Sequence, residues 1–177
     1  MLMVLAASRL IDRLNEHVGR AVSWLVLAAV LISAGNAITR YTFNLSSNAW
    51  LEIQWYLFSA IFLLAAGWAL LRNAHVRIDA ITGRLAPRAR AWIDIAGTAL
   101  FLMPMALLIL YFSWAMFTQS YMGHEMSSDA GGLLRWPVKL LIPVGFALLV
   151  LQGVSEIIKR IGFLRGLLPV EEKPSDR

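Results

Sequence analysis

The chain has no cysteine, and charged residues make up only 15% of it. The first absence excludes a disulfide framework, a thiolate metal site and thiol redox chemistry. Membrane-embedded thiol oxidoreductases, which also use small four-helix bundles, go with it. The second absence sets the sequence apart from soluble domains, in which about a quarter of residues are charged. Histidine is scarce too. His17, His75 and His124 are the three in 177 residues, and none lies in a long apolar run, where a bundle ligating haem would need them. What fills the chain instead is hydrophobicity, at 59% of residues and a mean hydropathy of +0.65.

The apolar residues come in blocks long enough to cross a hydrocarbon core of about 30 Å. Four spans are predicted: Ala21 to Thr39, Leu51 to Leu71, Ile93 to Thr118 and Val138 to Ile158. The first run lacks a small-residue cleavage site and three more follow it, which argues against a signal peptide. Aromatic rings favour the headgroup zone, and Trp50, Trp55, Tyr56, Trp68, Trp92, Tyr111, Trp114 and Trp136 gather near the proposed ends. The fold class expected is therefore an all-α integral membrane protein with four transmembrane helices.

The net charge of +5 matters less than where the charge lies. Among the 16 Lys and Arg, only Arg40, Arg135 and Lys139 fall in the connections after spans one and three. All the others lie in the N-terminal segment, the connection between spans two and three, and the C-terminal tail. The positive-inside rule puts both termini and that middle connection in the cytoplasm. Residues 1–19 are expected to form an amphipathic interfacial helix, with Leu2, Leu5, Ala6, Leu10 and Leu14 on one face and Arg9, Asp12, Arg13 and Glu16 largely on another. Residues 20–161 would be the four-helix domain. Residues 162–177 form a tail with little to bury, expected to be disordered.

Pumps and proton-coupled carriers place ionisable side chains at depth, where they are costly unless they function. Here the middles of all four spans are uncharged, with Asn36, Thr39 and Gln152 as the polar exceptions. Glu52, Asp94, Lys139 and Glu156 are expected within a turn or so of helix ends, Glu52 and Asp94 in first turns that favour a carboxylate. Small residues recur at helical spacing (Ala29, Ser33, Ala37; Ala65, Ala69; Gly145, Gly153), a pattern that lets backbones approach closely. Pro104 and Pro143 are expected to kink spans three and four.

The stretch "RNAHVRIDAI", residues 72–81, concentrates polar groups. One histidine and one aspartate make an incomplete ligand set, so no metal site is predicted. An interfacial turn whose arginines meet anionic headgroups explains His75, Arg77 and Asp79 better than catalysis does.

Residues 48–97 closely resemble the small membrane subunit of tripartite ATP-independent periplasmic (TRAP) transporters, the DctQ-like family. The resemblance rests on Trp50 and Glu52 opening span two, on His75-x-Arg77-x-Asp79, and on Leu85-x-Pro87-x-x-Arg90 leading into span three. Residues 125–161 resemble the family's last loop and span through Trp136-Pro137-x-Lys139 and Leu148 to Gln152. It implies a non-catalytic scaffold without cofactors in a bacterial inner membrane. Its partners would be a large DctM-like permease subunit, which holds the sodium and substrate sites, and a periplasmic DctP-like binding protein that delivers an organic anion. Under this resemblance Trp50, Glu52, Trp55, His75, Arg77, Asp79, Arg90, Trp136 and Lys139 would serve the partner or membrane interface. Glu125, Asp129 and Arg135 in the external loop are the best candidates for contact with the binding protein. The competing expectations are a self-sufficient homo-oligomeric channel or exporter, with Asn36, Thr39 and Gln152 as its only polar path, and a membrane enzyme using His75 and Asp79.

Overall fold

The computed structural model describes residues 2–44, 47–74 and 85–168, and every regular element among them is helical. Helix α1 spans Leu2–Phe43, α2 Asn48–Leu64, α3 Ala66–Leu71, α4 Pro87–Gly97, α5 Met103–Met122 and α6 Trp136–Leu164. A π-helical turn, Thr98–Leu102, joins α4 to α5. The backbone hydrogen bonds of Ala65 and Ala69 carry α2 into α3 across a single non-helical residue, so together they form one span. Four stretches are thus long and apolar enough to cross a membrane: α1, α2/α3, α4/α5 and α6.

Helix α1 has 42 residues, about 63 Å at the usual rise. The segment expected to lie separately in the interface is its first half. No proline divides it from the first span, and Gly19 alone does not stop a helix. Its leucines do not share one environment. Leu5, Ser8, Asn15, Gly19 and Val22 are buried, while Leu10 and Leu14 are 68% and 45% exposed. The polar side chains face the protein because polar partners await them on α6.

Helix ends differ from the apolar runs for one reason: a hydropathy run marks hydrocarbon, not helix. α2 begins at Asn48 and α4 at Pro87, so Glu52 and Asp94 lie beyond the first turns in which the sequence placed them. Pro87 takes the first helical turn, where its missing N–H costs nothing. Pro104 sits just after the π turn, whose wider coil accommodates a residue that clashes with the carbonyl four positions back. Pro143 is accommodated inside α6, fully buried. The expected tail begins later than position 162, since α6 runs to Leu164 and Leu168 folds back towards Gly162. Residues 169–177 lie outside the described residues.

Helix α6 is the hub and packs against all the others. α1 and α2/α3 complete a triangle with it, whereas α4 and α5 lean on α6. The contact surfaces are small: Ala29, Ala60, Ala106, Ser113, Ser120, Gly145 and Gly153 are buried. Large apolar side chains point outward, among them Phe62 (79%), Phe101 (76%) and Tyr111 (75%). That inside-out arrangement suits lipid, where close backbone approach and not apolar burial joins helices. Of the expected ribbons, Ala29, Gly145 and Gly153 are spent internally, and Ala37 is left exposed. A stripe not foreseen, Ala106, Ser113 and Ser120 at seven-residue spacing on α5, is buried as well.

Gly145 is the tightest of these contacts between spans. A Cβ there would lie 2.6 Å from the Leu63 carbonyl oxygen, which is backbone and cannot rotate away. Gly145→Val is therefore expected to destabilise the chain by about 3 kcal/mol or more, within the upper range for overpacking. Unfolding in detergent followed by circular dichroism measures this; a melting curve like that of the parent would show the approach to be looser.

Candidate assembly interface

The start of α1 and the end of α6 lie on the same side of the bundle, since Ser8 meets Ser155. Each end of the bundle carries a knot of polar side chains, and the two knots fix which surfaces remain free.

At the end opposite the termini, residues 125–135 form a short hairpin. Met126 and Leu134 pair across it, Arg135 N–H donates to the Glu125 carbonyl (2.8 Å), and Ser127 N–H donates to that of Leu133 (2.9 Å). Gly131, at φ +72°, makes the turn. The hairpin is pinned from below by buried Glu52, which accepts hydrogen bonds from the Ser127 hydroxyl and from Leu133 N–H (2.6 Å). Arg135 Nη2 donates to the same Ser127 oxygen at 3.2 Å. Tyr56 donates to the Leu134 carbonyl and Asn48 to that of Ala130. Glu125 pairs with Lys139 at the start of α6. Trp136 stands edge-on to Tyr121, with ring centroids 5.4 Å apart, and closes the hairpin against α5.

Glu52 is thus a buried acceptor holding a loop, not a snorkelling group. The loop, read from its polarity as flexible, is folded. Of the three residues expected to meet a binding protein, Glu125 and Arg135 are occupied within the hairpin, and Asp129 is exposed at its tip.

The Lys139 ammonium holds the Glu125 carboxyl below its ordinary range. A depressed folded value means the pairing contributes fully above the unfolded carboxylate range, near 4.3, and is lost as pH falls through the folded value. The protection factor of the hairpin amides, their exchange rate relative to that of an unstructured chain at the same pH, is expected to hold steady from pH 7 to about 5 and to fall well below about 4. Glu125→Gln should flatten that acid limb; an unaltered profile would remove the pair from the account.

At the termini end, Gln152 is fully buried. Its Oε1 accepts from Asn15 Nδ2 (2.9 Å), and its Nε2 donates to Asp12 Oδ1 (2.8 Å) and Glu156 Oε1 (3.0 Å). Ser155 donates to Asp12 at 2.7 Å, and Lys159 lies 3.3 Å from Asp12. Beside this knot Glu16 accepts from Trp68 Nε1, Arg20 Nε and Arg72 Nε, all near 3.0 Å. Asp94 pairs with Arg160 at 3.3 Å, tying α4 to α6. None of these ties was foreseen. Ser8, Asp12 and Asn15 on one helix and Gln152, Ser155, Glu156 and Lys159 on another do recur at three- and four-residue steps, and that was the available signal.

The remaining sequence candidates are spread over the surface. Trp50 and Trp55 are 43% and 74% exposed at the hairpin end. Arg90 is half-buried near the start of α4, at the other end. His75, Arg77 and Asp79 lie outside the described residues. No described residues gather into a catalytic constellation; what the geometry offers is a rigid bundle with broad apolar outer faces. Residues 29–162 match the family model for the DctQ component of tripartite ATP-independent periplasmic transporters. The chain belongs to the DctQ family. It is thus a multi-pass membrane component of a TRAP transporter, and the match covers all of α2 to α5, the last third of α1 and most of α6. No curated protein and no solved structure matches it.

Proposed function

We propose that this DctQ component is a non-catalytic scaffold for the large permease subunit of its transporter. In this reading it lies in a bacterial inner membrane with both termini in the cytoplasm, and the permease carries sodium and an organic anion handed over by a periplasmic binding protein. One observation supports it above the rest: buried Ser8, Asn15, Glu52, Gln152 and Ser155 are spent on tying the chain's own helices and hairpin together. Gln152, needed for any polar path through a homo-oligomeric channel, is sealed between α1 and α6. The Thr39 hydroxyl is turned back onto carbonyls of its own helix, Gly35 and Asn36. Meanwhile α5 and the π-helical turn before it present Phe101, Leu108, Phe112 and other large apolar side chains outward, suited to a partner helix or lipid.

Deleting the chain from cells that express the other two components should abolish solute uptake and deplete the permease from membranes. The purified chain alone in liposomes should pass neither sodium nor organic anions. Normal uptake without it, or flux through it alone, would overturn the proposal.

A further inference from the structure

We propose that the seam between α1 and α2/α3 binds one anionic phospholipid, headgroup towards the termini end and an acyl chain along the seam. Two hollows occupy this seam. One, of about 420 Å³, is lined by Arg13, His17, Arg20 and Arg72 together with Asp12 and Glu16. The other, of about 520 Å³, is apolar and lined by Val26, Ala29, Val30 and Ala34 of α1 with Phe58 and Ile61 of α2.

Helical geometry places both on one flank. Phe58, Ile61, Ala65, Trp68 and Arg72 follow one another at three- and four-residue steps, as do Glu16, Arg20, Ser23, Leu27, Val30 and Ala34. Helix α6 lies on the other side, meeting α1 through Ser8, Asp12 and Asn15 and α2/α3 at Leu63 and Gly67. From Arg20 to Val30 is ten residues, about 15 Å along the axis. That matches the depth of one leaflet, half of a core of about 30 Å.

The charge selects the headgroup. Both carboxylates of the polar hollow are already satisfied: Glu16 by Trp68, Arg20 and Arg72, and Asp12 by Ser155, Gln152 and Lys159. Arg20 meets Glu16 through Nε and keeps its terminal N–H groups for a ligand. No hydrogen bond or ion pair holds the exposed Arg13 side chain among the described residues. His17 is turned onto its own helix, donating Nδ1–H to the Arg13 carbonyl at 2.7 Å, so the donors left for a ligand are those of the arginines. The surplus is positive and rich in N–H donors, the chemistry that takes a phosphodiester. A soluble phosphate would have no use for the apolar hollow, and a partner helix would have none for the arginines.

The test is native mass spectrometry of the full-length chain in detergent, with phosphatidylglycerol and phosphatidylcholine of identical acyl chains added in equal amounts. One phosphatidylglycerol should be retained, preferred by about tenfold or more, since each basic residue near an anionic headgroup contributes roughly fivefold. Arg13→Gln should lower that retention by about fivefold, and Val30→Trp, which fills the apolar hollow, should lower it with the charge intact. Circular dichroism and melting temperature verify that each variant is folded, and the milder V30F replaces V30W if that one is not. Equal retention of the two lipids would overturn the proposal, as would displacement by glycerol 3-phosphate, which would mark a site for soluble anions. A filled hollow that spares the lipid but blocks recovery with the permease would assign the groove to a partner helix and overturn it as well.

Discussion

Gln152→Leu is expected to destabilise the chain by about 2–4 kcal/mol, because buried donors and acceptors stripped of partners cost more than a made bond contributes. The amide bonds Asn15, Asp12 and Glu156 at once. Asp12 and Glu156 keep Lys159 after the change, so the burden falls on Asn15, whose other contact is a 3.4 Å bond to the Ile11 carbonyl. The double variant Asn15→Leu, Gln152→Leu should regain part of the loss, since removing both partners leaves less unsatisfied than removing one. Equilibrium unfolding in detergent measures the energies, and proteolysis of residues 2–20 reports whether the first half of α1 has come loose. Parent-like stability in the single variant would mean that the helices are held by packing alone.

The second large effect concerns Glu52. Glu52→Gln removes a charge and turns one of two acceptor oxygens into an NH2 group. Whichever way the amide turns, that donor meets either the Leu133 N–H or the Ser127 oxygen, which already accepts from Arg135 and the Asp129 N–H, so one of the two ties that pin the hairpin is lost. Amide exchange across residues 126–134 should accelerate by about tenfold or more, while the helices keep their protection. If the hairpin is where a binding protein docks, as the sequence suggests, uptake should show a raised KM with the permease still recovered in membranes. Unchanged exchange would show that Tyr56 and Asn48 suffice to hold the loop; a lost permease would place Glu52 at a different interface.

How far these features could be read from the sequence depends on whether each signal is local. The four spans, the membrane class and the family rest on long apolar runs and on motifs such as Trp136-Pro137-x-Lys139, all contiguous. The role of Glu52 is not local: its partners Ser127 and Leu133 are 75 and 81 positions away. Position alone therefore suggested a dipole effect, and composition alone suggested a loose loop. The buried face of residues 2–17 was out of reach for a similar reason. Ser8, Asp12 and Asn15 take their partners from α6, 137 to 147 positions away, which no local pattern displays. The His75, Arg77 and Asp79 elbow stands where the sequence left it.

The unbroken length of α1 has a consequence for the shape that this protein gives the membrane surface. Tilted by a typical 20°, a helix uses about 21 residues to traverse a 30 Å core. By the same reckoning α6 has about eight residues to spare, and Leu5 of α1 lies beside its Gly162, so the two helices rise together about 12 Å at most above the core on that side. A neighbour resting on this rim loads the Asp12, Gln152 and Lys159 clasp that joins them.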